Sequence, residues 1–227
     1  MIIEARFNGP YGTGNGGWSA GTFAAGFAAD PQPAGAVEVT LRRPPPLGAP
    51  LTAVPADGGG GEIRDPDGAL VARVEPVPAF GPTTPGVDLA TATVAAADYP
   101  GFTEHPFPGC YVCGPERPDG LRIFPGRLPD GRTAAPFHVP EQVVPATVWA
   151  ALDCPGGWAV IAPGRPYLLG RIAVMVRALP RPGDRCVVTG AVGGGEGRKA
   201  LVHSSLYAPD GALLAYARAT WIALSAG

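Results

Sequence analysis

The chain has 227 residues, of which 46% are hydrophobic and 16% are charged, and its net charge is -2. A nucleic-acid-binding protein needs a basic surface that neutralises phosphates, so this charge argues against that class. The 34 glycines and 29 prolines stand beside enough apolar residues for a core, and they indicate turns between many short elements rather than disorder. No apolar run approaches the ~18 residues of a membrane helix. The N-terminus lacks a signal-peptide pattern, so we expect a cytoplasmic protein that does not bind membranes.

The first half predicts one buried helix followed by a run of strands. A short strand at 3–7 leads into a glycine-rich loop at 9–17 and a helix at 18–29 that is apolar on nearly every side, as buried helices are. Strands are predicted at 36–43, 51–54, 62–64 and 69–75, and the last two form a hairpin across Asp65-Pro66-Asp67-Gly68. Residues 76–109, with an Ala-rich piece near 87–97, are interpreted as a connection.

The second half repeats this order. It opens with Cys110-Tyr-Val-Cys113, and strands are predicted at 121–124 and 133–139. A helix at 145–160 begins with proline in its first turn, and Pro155 with two glycines is expected to end or bend it. Strands at 171–178 and 184–192 and a hairpin at 198–224 complete the chain.

Two pairs of segments indicate an internal repeat. Residues 37–48 and 172–183 both combine a strand, an arginine and a proline-rich turn closed by glycine. Residues 66–73 and 209–216 share Pro-Asp-Gly-Ala-Leu. The repeat predicts an α+β fold in which each half wraps a curved antiparallel sheet around its helix, so that the two halves form a pseudo-dimer.

These residues resemble the hotdog-fold thioesterases in a tandem, double hotdog arrangement. The stretch Cys110-Tyr-Val-Cys-Gly-Pro-Glu-Arg-Pro-Asp-Gly-Leu is similar to the Cys-x-x-Cys-Gly…Pro-x-Gly-Leu pattern of phenylacetyl-CoA-thioesterase-like members, and Asn15-Gly16-Gly17 is similar to their His-Gly-Gly loop. The resemblance implies an N-terminal repeat at 1–80, a connection at 81–109 and a C-terminal repeat at 110–227. It also implies an acyl-CoA or acyl-carrier thioester as substrate, no cofactor, and no nucleic-acid or membrane partner. A homodimer of double hotdogs is left open.

The resemblance also implies a site shared between the halves. In the family, the amide of the first glycine polarises the thioester carbonyl, and an acid nine residues after the histidine position, from the opposite half, acts as nucleophile or as base on water. The first half has Asn15 and Gly16 but only Ala24 at the acid position. The second half has Asp153 but Pro145 at the glycine position, and proline has no N–H to donate. We therefore expect one active site per chain, formed by Asp153, Gly16 and Asn15, and one dead site.

Five further residues are candidates for substrate binding, namely Gly17, Trp18, Thr22, Thr147 and Trp149. An apolar acyl tunnel beside the first helix would be lined by the tryptophans and Phe23. Two other functions stay open at this point: a non-catalytic acyl-binding protein, which the altered motif favours, and a hotdog hydratase, whose Asp-x-x-x-x-His pair is missing here.

The cysteines raise the question whether the segment 105–113 binds a metal ion. Cys110-x-x-Cys113 could be half of a zinc site, but with His105 the set is one ligand short of the four of a structural site. The sequence therefore predicts a packed turn and no metal.

Overall fold

The computed structural model describes residues 1–27, 35–81 and 84–224. The helices are α1 (Gly16–Ala25), α2 (Leu89–Ala97) and α3 (Pro145–Trp158). The strands are β1 (Ala36–Leu41), β2 (Thr52–Pro55), β3 (Gly61–Arg64), β4 (Leu70–Val77), β5 (Gly126–Arg127), β6 (Thr133–His138), β7 (Tyr167–Val176), β8 (Arg185–Glu196), β9 (Lys199–Tyr207) and β10 (Leu213–Ala223).

These ten strands form one antiparallel sheet in the order β2-β3-β4-β1-β7-β10-β9-β8-β6-β5. From the β1–β7 pair outward, the order is β1-β4-β3-β2 on one side and β7-β10-β9-β8 on the other, so the four strands that follow α1 and the four that follow α3 are arranged in the same way. The strands β6 and β5, which precede α3, extend the second side beyond β8. The repeated segments predicted from the sequence occupy equivalent places, since β1 corresponds to β7 and β4 to β10. The α+β prediction is confirmed, whereas the domain boundaries at 1–80, 81–109 and 110–227 stay a prediction.

Helices α1 and α3 lie side by side and antiparallel beneath the sheet. A carbon added at Gly17 would lie 2.6 Å from Asp153 Cβ and 3.1 Å from Ala150 Cα, and one added at Gly21 would lie 2.7 Å from Ala146 Cα. Only glycine permits so close an approach of the two helix backbones. The small residues of the first helix therefore bring its N-terminus beside the middle of α3.

Two predicted strands are wrong. Ala5–Phe7 is a single turn of 3-10 helix, because the backbone of the first residues bonds the loop at 48–51 instead of a sheet strand. The segment at 121–124 is extended but outside the sheet, since the amides of Leu121 and Ile123 donate to the carbonyls of Tyr111 and Val112. Arg122, with φ 52°, also interrupts the regular strand geometry.

Pro155 was expected to end or bend the second helix, yet α3 continues through it to Trp158. The two glycines that follow are packing positions. A carbon added at Gly156 would lie 2.8 Å from Ser204 Oγ, and one at Gly157 would lie 2.5 Å from the Trp221 ring. The sheet holds this end of the helix against itself, which outweighs the helix-breaking tendency of the residues.

Two further predicted elements have different bounds or a definite structure. The helix predicted at 18–29 begins at Gly16 and ends at Ala25, and residues 28 and 29 lie outside the described residues. The Ala-rich piece of the connection forms α2, capped by the Asp88 carboxylate on the Thr91 amide at 2.7 Å. Among the described residues, no helix combines the length and the apolar character that crossing a membrane requires.

Candidate functional site

The backbone amides in the first turn of α1 donate hydrogen bonds to different acceptors. Asn15 is the N-cap, and its Oδ1 accepts from the Trp18 amide at 2.8 Å, while its carbonyl accepts from the Ser19 amide. The Gly17 amide donates to Asp153 Oδ2 at 2.9 Å. Within the described ranges the Gly16 amide has no acceptor. A helix N-terminus carries partial positive charge, so this amide is available to bind an oxygen that gains negative charge.

Asp153 lies on α3 against this turn and is 2% exposed. Its Oδ2 accepts from Gly17 N–H and from Asn15 Nδ2, the latter at 3.2 Å. Its Oδ1 is buried and has no partner among the described residues. Burial raises the pKa of Asp153 to about 7, and the hydrogen bond from Gly17 N–H opposes that rise. One carboxylate oxygen is thus fixed by the opposite half of the chain, and the other keeps its capacity to accept a hydrogen bond.

Asn15, Gly16 and Asp153 line a cavity of about 240 Å³. Most of its wall is apolar, and the strand residues on it include Tyr167, Leu169 and Trp221. Arg42 and Arg43, both exposed, also lie on its wall. The pocket therefore combines an apolar interior with a few convergent polar groups, which is the usual composition of a small-molecule site.

The structure brings together the three predicted catalytic residues but separates most of the predicted substrate-binding ones. Gly17 is at the site, where its amide binds Asp153. Trp18 stacks on Phe7 with ring centroids 3.6 Å apart, and Thr22 Oγ1 donates to its own helix at Trp18 O. Thr147 Oγ1 accepts from the Val144 amide at the start of α3. None of Trp18, Thr22 and Thr147 is among the residues that line the cavity.

Trp149 lies on a second cavity, of about 250 Å³. Ala24 and Pro145, the two altered positions of the predicted dead site, both line this cavity. The antiparallel arrangement of α1 and α3 explains why the two altered positions share a cavity. The start of α1 lies beside Asp153, and the start of α3 correspondingly lies toward the end of α1. Ala24 has no carboxylate and Pro145 has no amide proton, so these two positions lack the groups found around Asp153.

Two residues of the first cavity were given no role there by the sequence. Cys154 follows Asp153 directly, and its sulfur lies with those of Cys110 and Cys113 within 4.8 Å of one another. His105 also lines the cavity, and its Nε2 is 3.4 Å from Cys113 Sγ. The only signal in the sequence was that Cys154 adjoins the predicted acid. Because 40 residues separate Cys154 from the Cys-x-x-Cys pair, the sequence does not show that these cysteines are in contact.

Comparisons with known proteins give structural relatives only. No family model matches the chain, and no curated protein matches it. A protein of Novosphingobium aromaticivorans named "putative thioesterase" superposes with a TM-score of 0.62 at 14% identity, covering 99% of this chain and 94% of the other. A conserved protein of unknown function with hot dog fold from Alicyclobacillus acidocaldarius gives a TM-score of 0.54 at 14% identity, covering 99% and 92%.

The chain has the hot dog fold. Both superpositions run over nearly the whole length of both proteins, so the likeness includes the two helices and the sheet on either side of the β1–β7 pair. At 14% identity these superpositions establish the fold only, and any function has to be argued from the residues of the site.

Proposed function

We propose that the chain is a thioester hydrolase of the acyl-CoA thioesterase type with one active site, formed by Asp153, Gly16 and Asn15. The observation that carries the proposal is that the two carboxylate oxygens of Asp153 differ in their hydrogen bonding. Oδ2 is held by Gly17 and Asn15, while Oδ1 is buried without a partner among the described residues, and Asp153 and Gly16 line the same cavity. An unpaired buried oxygen is costly to maintain, and a bound water would satisfy it.

The geometry supports a reaction in which Asp153 acts as a general base. Asp153 Oδ1 accepts a proton from water as the water oxygen bonds to the thioester carbon. The carbonyl oxygen becomes an oxyanion, and Gly16 N–H donates a hydrogen bond to it at the positive end of α1. Collapse of this intermediate breaks the carbon–sulfur bond. The thiolate leaves and takes up the proton, so the products are a carboxylic acid and a thiol.

Asn15 has a positioning role in this scheme. Its Oδ1 caps α1 while its Nδ2 holds Asp153 Oδ2, so one side chain fixes both the amide donor and the base. The cavity wall suits an apolar acyl group, and the exposed Arg42 side chain at the cavity suits the phosphates of coenzyme A. Acyl-CoA is therefore the first substrate class to test.

The test measures thiol release from short, medium, long and aryl acyl-CoAs by the wild type and by Asp153→Asn. Asparagine keeps the size of the side chain and an oxygen for the Gly17 amide, but it cannot take a proton from water. We expect kcat to fall by about 10²–10⁴-fold, the usual contribution of a general base. Asp130→Asn is the matched control, because Asp130 pairs with Arg132 in an exposed turn and its loss should leave the rate unchanged.

Two outcomes contradict the proposal. Hydrolysis that survives Asp153→Asn at the wild-type rate removes Asp153 from the chemistry. If neither protein cleaves any thioester but an acyl-CoA still binds, a non-catalytic acyl-binding protein is the better description.

A further inference from the structure

We infer that Cys110, Cys113 and Cys154 form a zinc-binding site, with the three thiolates as protein ligands and the fourth ligand position facing the cavity. The three sulfurs lie within 4.8 Å of one another, and each residue is at most 5% exposed. They come from two separate parts of the chain, the turn at 110–113 and helix α3. This inference does not depend on the proposed hydrolase activity.

The spacing of the sulfurs suits zinc. Sulfurs bonded to one tetrahedral zinc at about 2.3 Å lie roughly 3.8 Å apart, so closing the present triangle onto an ion takes a movement of about 1 Å or less. Thiolate ligands favour zinc and other soft ions over magnesium or calcium. Zinc sites with three protein ligands leave a fourth position to water or a ligand, and all three cysteines line the cavity from which that ligand would come.

The N–H groups around the cluster provide a second, independent observation. Trp158 Nε1 donates to Cys113 Sγ at 3.5 Å, and Asn15 Nδ2 lies 3.8 Å from Cys110 Sγ as a donor. His105 Nδ1 accepts from the Phe107 amide at 2.9 Å, so its proton is on Nε2, which then donates to Cys113 Sγ at 3.4 Å. A thiol sulfur is only a weak acceptor. N–H donors directed at the sulfurs are what metal-bound thiolates receive from their surroundings.

The placement of His105 assigns it to the outer shell rather than to the ion. To bind zinc through Nε2, the neutral ring would have to carry its proton on Nδ1, where the Phe107 N–H already donates. His105 therefore holds Cys113 in position and does not complete the ligand set. Packing alone would account for three buried cysteines as small apolar side chains, but it would not require N–H donors from three different side chains around two of their sulfurs.

The test is the metal content of the protein purified under reducing conditions without chelators, measured by elemental mass spectrometry. We expect about one zinc per chain in the wild type and less than about a tenth of that in Cys110→Ser, Cys113→Ser and Cys154→Ser. Cys186→Ser is the matched control, because Cys186 is a buried free cysteine on β8, outside the cluster, and this variant should keep its zinc. His105→Gln should also keep the ion but bind it about 10–100-fold more weakly.

A second measurement does not depend on how the variants fold. Apo wild-type protein titrated with Co²⁺ should develop the thiolate-to-cobalt charge-transfer absorption of a sulfur-ligated ion, and Zn²⁺ should then displace it. The inference is overturned if the wild type contains no zinc and shows no such absorption, or if Cys186→Ser loses zinc as the cluster variants do. Loss of zinc in His105→Gln as complete as in the cysteine variants would contradict the outer-shell role of His105.

Discussion

The first turn of α1 shows how single residues determine which backbone groups are available for chemistry. Gly17 N–H is occupied by Asp153, and the amides of Trp18 and Ser19 are occupied by Asn15. Only the Gly16 amide has no acceptor among the residues described. The corresponding first residue of α3 is Pro145, which cannot donate. Proline at residue 16 would therefore remove this donor, just as Pro145 leaves the first position of α3 without one.

Gly16→Pro should strongly slow thioester hydrolysis while α1 still forms. Proline is favoured in the first turn of a helix, and Asn15, at φ -58° and ψ 134°, already has the extended conformation that a residue before proline adopts. The variant lacks the amide proton that is proposed to bind the oxyanion. We expect kcat about 10²–10³-fold below that of Gly16→Ala, measured as thiol release on the preferred acyl-CoA.

Gly16→Ala is the control because both variants add a carbon near Leu169 Cδ2, which lies 2.8 Å from the position of that carbon. They differ in the amide proton and in the proline ring carbons, one of which replaces that proton, so the ratio of their rates measures the effect of removing the donor together with that of the ring. Equal rates in the two variants would rule out Gly16 N–H as the oxyanion donor.

Sequence reasoning named the three residues of the proposed site, which lie on one cavity, and missed the neighbours that depend on three-dimensional contact. Asp153, Asn15 and Gly16 were named because the resemblance to the hotdog thioesterases supplied a motif and a nine-residue spacing that could be applied to each half. Thr22 and Thr147 were named for their proximity along the helix, but each hydroxyl is bonded to its own helix or helix start. Cys154 was missed because its partners lie 41 and 44 residues earlier, and no local pattern connects them.

At the scale of elements, the contact between α1 and α3 determines where the site lies. Gly17 and Gly21 are one helical turn apart, and both face the backbone or Cβ atoms of α3. The same contact brings Asp153 within hydrogen-bonding distance of the Gly17 amide. Any residue that separates the two helices would also move the carboxylate away from the first turn of α1.

Gly21→Ala should destabilise the protein, although alanine is the better helix former by about 1 kcal/mol. The added carbon would lie 2.7 Å from Ala146 Cα and 2.8 Å from Trp149 Cβ, so one helix must shift. Overpacking of this kind costs about 1–3 kcal/mol. Urea unfolding followed by circular dichroism would measure the loss in the free energy of unfolding.

Gly81→Ala makes the same chemical change at a position where no described residue lies within 4 Å of the new carbon, and it should leave stability nearly unchanged. If Gly21→Ala proves as stable as Gly81→Ala, the helices are not in the close contact described, and the argument that glycine positions Asp153 fails.

The elements were predicted best where a periodic pattern agrees with the tertiary contacts. The β3–β4 hairpin follows from its turn residues, and β7 to β10 follow from long β-branched segments. The segments at 3–7 and 121–124 have strand-like composition, but their amides and carbonyls bond loops at 48–51 and 111–112. Pro155 shows the opposite case, because burial of α3 against the sheet overrides a local signal for termination. Long-range packing decided each of these outcomes, and a single sequence does not display it.

At the scale of the molecule, the site joins the two halves of the chain. Asn15 and Gly16 come from the first half, which contains α1 and β1, while Asp153 comes from the second half, which contains α3. The sheet is continuous across the β1–β7 pair, where Val39 lies opposite Ile172 and both side chains are fully buried. Neither half can form the proposed site without the other.

This arrangement predicts that the halves unfold together. Ile172→Ala removes buried methyl and methylene groups at the junction and should lower the free energy of unfolding by about 2–5 kcal/mol. Because α1 packs on α3 and β1 pairs with β7, the loss should shift one transition rather than create a second. In urea, tryptophan fluorescence, far-UV circular dichroism and the proposed thioester hydrolysis should then decline at the same midpoint in both wild type and variant.

The tryptophans allow each half to be observed in this experiment. Trp18 lies in the first half, whereas the other three tryptophans, Trp149, Trp158 and Trp221, lie in the second. Trp18→Phe therefore leaves a signal from the second half alone, and the difference between this signal and that of the unsubstituted protein reports on the first half. Ile172→Val removes one methylene at the same position and should cost about 0.5–1.5 kcal/mol, with the same single transition. Two separate midpoints, with activity following only the less stable one, would mean that each half folds on its own and that the β1–β7 pair is a docking contact. Coincident midpoints would mean that the repeat is one folding unit, in which the oxyanion donor and the base are brought together by folding itself.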